Sequence, residues 1–552
     1  MTASVITPGS IKRILSVLVL LTIGFKLNAQ DQSLNYFYRV YFTDKGGNNP
    51  ANYLPSDLLS ERALDRRIKF NIAVTDMRDV PVNRQYLNEI ISRGLTLHCM
   101  SKWMNTALFR TKEPIDVQSL LDLPFVDDVL LVRKPVGKSN YTRKLDFHSE
   151  ANDDLEPGFH IAMLNGTSIH NSGYKGHGIL IAVNDGGFLN AENISSLEDL
   201  RRRDGIKYTY DFVKNDPFVY DYHAHGTAVM SVLAGHLAGS LEGTAPEADY
   251  MLFRTEDIGS ESAAEEDFWV AAAEFADSAG ADIINSSLGY YHFDDPSLNY
   301  SPSDMDGNTA FITRAADIAA SKGILVVCSA GNERDKEWMR ITAPSDGDSI
   351  ICAGAVDRDK QISYFSSAGP SADGRIKPDN VALGVNVIVQ TSVSYVSSSS
   401  GTSFSCPILS GMAACIMQAV PNAAPWELTD ALHRTADRFL MPDSLYGYGI
   451  PDMNKTLLLL QNKHLREQSA ATLAKPNPTS GIVEILFKDP PGKIYIEIYS
   501  ASGTIISKKN YADYSGRDLI LYDLNSCRQG IYFIRLTTGT GIYLHKIIKT
   551  GP

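Results

Sequence analysis

Beyond its first thirty residues the sequence has no unbroken run of the ~18 apolar residues that a membrane-spanning helix needs. Cysteine is scarce. The six (Cys99, Cys328, Cys352, Cys406, Cys415 and Cys527) are scattered singly, without the paired spacing of a zinc site or the density of a disulfide scaffold. Nor is there an excess of basic residues. The formal net charge is −13 and is spread along the chain, which argues against a nucleic-acid partner. No internal repeat is visible, so solenoids and propellers are excluded. What remains is a chain with 44% hydrophobic and 21% charged residues, as in soluble α/β proteins. Its 552 residues are too many for one ordinary domain and suggest three or four units.

At the start, Lys12-Arg13 precede an apolar run from Ile14 to Phe25 and then Leu27-Asn28-Ala29. This is the order of a secretory signal peptide, read over 1–29. Tyr36 to Phe42 has strand composition, and Asn83 to Ile91 reads as a capped helix stopped by Gly94. Leu95 to Arg110 reads extended, helix follows through Leu121, and Val129–Val132 closes the unit. Residues 30–137 are thus expected to form a small βαββαβ, ferredoxin-like α+β domain. Charged sequence over 138–156 reads as a linker.

The next region, 157–460, alternates wholly apolar runs with helical ones, the pattern of a parallel sheet buried on both faces. Ile179–Val183, Tyr250–Phe253, Ile283-Ile284, Ile324–Val327 and Ile350-Ile351 are the expected strands. Ser262-Ala263-Ala264-Glu265 reads as a capping box opening a helix that ends at Gly280, and Thr309 to Lys322 reads as a helix stopped by Gly323. The fold class is therefore α/β, a doubly wound, mostly parallel sheet, with ligands expected beyond the carboxyl ends of the strands. After a polar linker at 461–472, residues 473–552 carry about seven short runs separated by turn signals, as in an all-β sandwich.

Three polar residues stand where apolar elements end or begin. Asp185 follows the first strand of the sheet and precedes Gly186-Gly187, and His225-Gly226-Thr227 opens an apolar helical run. Ser403 lies in Gly401-Thr402-Ser403-Phe404-Ser405-Cys406-Pro407, with Pro407 expected in the first turn of a helix. A serine hydroxyl needs a base, and an imidazole near neutral pKa can take its proton and later protonate a leaving amine. A carboxylate can fix the tautomer of that imidazole. The oxyanion then needs donors, for which the Ser403 N–H and the amide of Asn332, in Ser329-Ala330-Gly331-Asn332-Glu333, stand at the same sheet edge. Cys406 is expected to be packed in the core, and a Cys328–Cys352 bridge stays open if those strands are neighbours.

With these stations in the order Asp, His, Ser, residues 155 to 460 resemble the subtilases, the subtilisin-like serine peptidases of family S8. The resemblance implies a secreted serine endopeptidase working through an acyl-enzyme on Ser403, with His225 as base and acid, Asp185 orienting it and Asn332 in the oxyanion hole. It also implies that Ser286, Ser287, Leu288 and Gly289 bind substrate and wall the specificity pocket. Asn184-Asp185-Gly186-Gly187 departs from the commoner pattern, in which an aliphatic residue precedes the aspartate. The early domain resembles the propeptides of these enzymes, an intramolecular inhibitor to be removed by cleavage between Val136 and Glu156.

The tail resembles the C-terminal sorting domain of proteins exported by the type IX system of Bacteroidetes, on Pro476–Gly481, Tyr499–Gly503, Gly530–Arg535 and Lys546–Lys549. That implies export across both membranes to a secreted or cell-surface location, with the secretion machinery as partner; the chain's own prodomain and protein or peptide substrates are the other expected partners, and a monomer is expected. No cofactor is required. The acidic loop from Asp294 to Asn308 invites calcium, but its spacing does not fit an EF-hand, and a solvated loop capping the Thr309 helix is the preferred reading. The rival function is a catalytically silent surface binding protein on the same fold.

Overall fold

The computed structural model describes residues 35–135, 149–150, 156–467, 472–488, 491–515 and 520–550. The signal segment 1–29 and nearly all of 138–156, with its processing region, lie outside them.

The first unit contains β1 (Tyr36–Phe42), α1 (Glu61–Lys69), α2 (Arg84–Ser92), β2 (Thr96–Ser101), β3 (Thr106–Thr111) and β4 (Val126–Arg133). Its strands pair antiparallel in the order β2-β3-β1-β4, the ferredoxin-like order. Asn83 accepts from the N–H groups of Gln85 and Tyr86, which caps α2 as its sequence suggests. Strand period two divides β1 between two cores. Tyr38, Val40 and Phe42 pack with Leu87 and Ile90 of α2, whereas Phe37 joins the core of the next unit.

That unit is built on a seven-stranded sheet of β5 (Leu180–Asp185), β6 (Ile206–Asp211), β7 (Asp249–Arg254), β8 (Ile283–Ser286), β9 (Leu325–Ser329), β10 (Ile351–Val356) and β11 (Asn380–Leu383). All pairs are parallel, in the order β11-β10-β9-β8-β5-β7-β6. One face is covered by α3 (His225–Ala234) and α6 (Thr402–Ala419), the other by α4 (Ala264–Ala279) and α5 (Phe311–Ser321). This is why the strands read as continuous apolar runs: Ile181 and Val183 enter one core, Leu180 and Ala182 the other. The five expected strands are present. The remaining two, β6 and β11, form the two edges.

Some details differ from expectation. Glu265 accepts from the Ser262 N–H (3.0 Å), but the Ser262 hydroxyl has no partner among the described residues, so only half of that capping box forms. Because α6 begins at Thr402, Pro407 falls in its second turn rather than its first. Cys328 and Cys352 are register partners on β9 and β10, yet both are free thiols, and burial pushes Cys352 up to about 12. In the acidic loop Asp306 accepts from the N–H groups of Asn308 and Thr309, but this turn does not cap the helix as expected, because α5 begins only at Phe311 and its N-cap, Ala310, offers no side-chain acceptor.

Two further helices, α7 (Pro425–Thr435) and α8 (Met453–Glu467), complete the unit, α8 running into the stretch read as a linker. The tail forms two antiparallel sheets. One holds β12 (Thr472–Lys475), β13 (Ile482–Phe487) and β16 (Ile520–Asp523); the other holds β14 (Gly492–Ser500), β15 (Ile505–Tyr514), β17 (Gly530–Thr538) and β18 (Gly541–Lys549). Ile494, Ile496 and Ile498 are buried between them.

The first unit lays the other face of its sheet on α4 and α5. Arg39 of β1 is buried against Asp267 of α4, its Nη2 2.7 Å from the carboxylate, and lies 3.6 Å over the Phe311 ring of α5. Glu274 of α4 accepts from the Ser101 hydroxyl and from the N–H groups of Lys102 and Trp103. Asp277 binds Arg66 and Arg67 of α1. A buried pair with one partner removed costs several kcal/mol, so these contacts specify one docking geometry.

Candidate active site

Parity along β5 positions the first carboxylate. Ile181, Val183 and Asp185 share a face, so Asp185 points toward α3. There the first residue of α3, His225, meets it: Nδ1 lies 2.8 Å from Oδ1 and 3.0 Å from Oδ2, and both side chains are buried. Asp185 Oδ1 also accepts from the Gly186 N–H at 2.7 Å. The neighbouring glycines allow this approach. A Cβ on Gly187, whose φ is +136°, would lie 2.5 Å from the Asp221 carbonyl, and one on Gly226 would lie 2.5 Å from the Gly187 carbonyl. Any side chain at either position would push the end of β5 away from α3.

His223, the nearest rival histidine, plays a supporting part. Its Nδ1 accepts from the His225 N–H at 3.1 Å, and burial lowers its pKa, with His225 adding to the effect. Asn184, on the opposite face of β5, is fully buried, and neither of its amide atoms has a partner among the described residues. No physical reason for an amide there is evident.

Ser403 occupies the first turn of α6, where helix N–H groups have no intrahelical acceptor. Its hydroxyl donates to the Ser287 carbonyl at 3.4 Å. Pro407 has no N–H to give the Ser403 carbonyl, four residues earlier, and that carbonyl instead accepts from the Ser287 hydroxyl at 2.9 Å. The proline thus frees an acceptor with which the segment after β8 is fastened to the serine. Next along the helix, the Phe404 ring stands 6.2 Å from that of His225, centroid to centroid.

Asn332, in the loop after β9, is held by its oxygen. Oδ1 accepts from the Thr402 N–H (2.9 Å) and hydroxyl (3.0 Å), which leaves the amide nitrogen as its donor, and a Cβ on Gly401 would lie 3.4 Å from that nitrogen. Thr402 therefore couples Asn332 to the serine's helix, a part that sequence reasoning missed. Asn285 was missed as well: its Oδ1 accepts from the Ser410 hydroxyl (2.6 Å) while its Nδ2 donates to Ser287 (3.3 Å). A polar residue inside the apolar run of β8 was the available signal.

The four residues from 286 to 289 have different surroundings. Ser286 points to the opposite face, where its hydroxyl accepts from Trp269 Nε1 at 2.9 Å, and Leu288 is buried in the same core. Ser287 touches Ser403, and Gly289 is exposed. Cys406 is fully buried, its thiol 3.2 Å from the Val327 carbonyl, and burial drives its pKa far up, so it is no nucleophile. Among the described residues one set of side chains, Glu256, Glu261 and Glu265, is grouped as a cation would need, and Glu256, just after β7, accepts from the Tyr290 hydroxyl.

Comparison with known proteins gives three matches along the chain. The subtilase family model matches residues 176–449, the Bacteroidota peptidase S8 propeptide domain 37–146, and the secretion system C-terminal sorting domain 475–550. Subtilisin BL and Subtilisin Savinase, both from Lederbergia lenta, are each 30% identical over 292 residues, spanning 52% of this chain and 94% of theirs. Subtilisin E of Bacillus subtilis (strain 168) is 30% identical over 294 residues, 52% of this chain and 68% of its own.

Proposed function

The chain belongs to the subtilase family, a serine-type endopeptidase with an S8 propeptide domain and a type IX sorting tail, and from that premise we propose which residues do its work. His225 takes the Ser403 proton as the hydroxyl attacks a peptide carbonyl, and returns it to the leaving amine. Asp185 keeps the imidazole in the tautomer with its proton on Nδ1 and stabilises the imidazolium that forms. The oxyanion of the tetrahedral intermediate is met by the Ser403 N–H and by Asn332 Nδ2, both fixed before substrate arrives. Collapse gives an acyl-enzyme on Ser403, which water, deprotonated by His225, hydrolyses. The backbone from Ser286 to Gly289 lines the bound substrate.

The observation that carries this reading is the buried Asp185–His225 hydrogen bond at the sheet edge where Ser403 and Asn332 also lie. The early unit is the intramolecular inhibitor, held on α4 and α5 until cleavage between Val136 and Glu156. The secretion machinery takes the tail, and the enzyme works as a monomer on protein or peptide substrates.

The test is to purify the signal-less precursor and its Ser403→Ala variant, then follow fluorophosphonate labelling and intact mass over time. Labelling with loss of the early unit in the wild type alone is expected. If neither protein labels, even after another protease has removed the early unit, the assignment fails.

A further inference from the structure

One strand over from Asp185, the same sheet edge carries an arginine that no motif singled out. Arg254, the last residue of β7, is the register partner of Asp185 on one side and of Asp211, at the end of β6, on the other. Tyr250 and Leu252 of β7 enter the core under α3, so by parity Arg254 points to the same face as Asp185. It is 1% exposed. Its Nη1 lies 2.8 Å from Asp211 Oδ2, and its guanidinium carbon lies 3.5 Å from the centre of the Tyr222 ring. The Tyr222 hydroxyl and the Arg254 Nε have no hydrogen-bond partner among the described residues, so what joins the two side chains is the stacking of cation on ring.

Tyr222 stands three residues before His225 in a conformation that a bulky side chain disfavours. Its φ is +68°, and across it the His223 N–H donates to the Asp221 carbonyl at 3.0 Å, which makes a three-residue turn of the strained kind. The backbone of this turn is pressed against the end of β5: a Cβ on Gly187 would lie 2.5 Å from the Asp221 carbonyl and 3.0 Å from the His223 nitrogen, and the His223 carbonyl accepts from the Leu189 N–H at 3.1 Å. The turn sets the place of His223, whose Nδ1 accepts from the His225 N–H. A non-glycine residue persists in such a conformation only where its surroundings over-determine it.

We propose that Arg254 is a positioning residue for the base: anchored by Asp211, its guanidinium is the platform on which the Tyr222 ring is stacked, and this stack holds the strained turn that sets His223 and, through it, the first residue of α3. The inference rests on the role proposed for His225. Arg254 acts through Tyr222 and His223 and not on the reacting atoms. Without the stack, Tyr222 relaxes toward negative φ, His223 withdraws its acceptor from the His225 N–H, and the imidazole leaves its line with Asp185. Glycine adopts positive φ without a side chain to restrain it, so at position 222 it makes the platform unnecessary.

The experiment uses the self-processed full chain and a peptide amide substrate, with Arg254→Lys made both alone and together with Tyr222→Gly. Lysine keeps a cation for Asp211 but lacks the planar group that stacks on the ring. Alone, Arg254→Lys is expected to lower kcat and the rate of fluorophosphonate labelling of Ser403 by about 10–100-fold, the size of the strain released, with KM little changed. In the Tyr222→Gly background the same replacement should change either rate by less than about threefold. Equal losses in the two backgrounds overturn the inference, because Arg254 then acts through something other than the turn, and so does the absence of any loss when Tyr222 is present. If Arg254→Lys does not fold, Tyr222→Leu decides the same question: it removes the ring but keeps the strain, and should fall at least about tenfold below Tyr222→Gly in kcat, whereas equal rates overturn the inference. A wild type that neither labels nor cleaves removes the proposed function, and this inference with it.

Discussion

Asn332 is held at its oxygen so that its nitrogen is the part left to act. Two donors from Thr402 fix Oδ1, and the amide plane cannot rotate without losing both. Under the proposed mechanism Asn332→Ala should lower kcat by about 10²–10³, the loss that removing one such donor from a subtilisin causes, with KM little changed. Thr402→Val should cost far less, because the backbone N–H still holds Oδ1. Steady-state kinetics on a peptide amide separates the two. An unchanged kcat in Asn332→Ala would remove Asn332 from the oxyanion hole. At this scale the sequence displayed the residues proposed to react but not their fastenings. Asp185, His225 and Ser403 stand out because each lies where an apolar element ends or begins. Thr402 and Asn285 act through contacts 70 and 125 residues away in the chain, respectively, with Asn332 and Ser410, and no local pattern marks such a pair.

Elements buried on both faces were legible because burial removes polar residues from them. The two strands that sequence reading missed, β6 and β11, are the edges of the sheet, and β6 carries exposed Lys207 and Tyr208 that break its apolar run. α1 was missed for a related reason. Arg62, Arg66 and Arg67 look like a solvated helix face, but Arg66 and Arg67 are buried against Asp277 of α4. Where the first unit docks, His98 of β2 lies between Phe37 and Phe268, its Nε2 2.9 Å from the Phe212 carbonyl and its Nδ1 without a partner among the described residues. Burial lowers its pKa to about 3, with Arg110 and Arg133 adding to the effect. Undocked, the ring returns to about 6.5. Between those values the released form binds the extra proton, so docking weakens as pH falls from about 6.5 toward 3. At pH 5 the His98 contribution is a loss of about 30-fold relative to pH 7.5. Glu274 has its pKa raised by burial and titrates with the opposite sign, so the contribution is read as the difference between wild type and His98→Phe. Inhibition constants of the cleaved first unit, measured across that range, should converge for the two proteins at pH 7.5 after scaling and diverge below 6. Parallel curves would mean that His98 stays neutral throughout.

At the scale of the whole molecule, the three units are joined by unequal seams. The first meets the sheet unit through buried ion pairs and a shared apolar core. The tail meets it through a few polar contacts: Lys475 Nζ donates to the Ala419 carbonyl at the end of α6 (2.8 Å), and Gln461 of α8 donates to Glu484 of β13 (3.0 Å). The tail's own core is closed between its two sheets. The proposed catalytic stations lie at the other end of α6, and their fastenings come from β5, β8, β9 and α3, none of which belongs to the tail. Removing residues after about 470 should therefore leave peptide hydrolysis within about twofold of the full chain, with Tm lowered by only a few degrees, as for a loss near 1 kcal/mol. The same truncation should abolish delivery to the cell surface, because the sorting domain is gone. Surface proteolysis of whole cells, compared with activity of the purified truncated protein, reads both effects. If the truncated protein is inactive or unfolded, the Lys475 and Glu484 contacts close the end of α6 against water, and the tail is a structural part of the enzyme as well as its address.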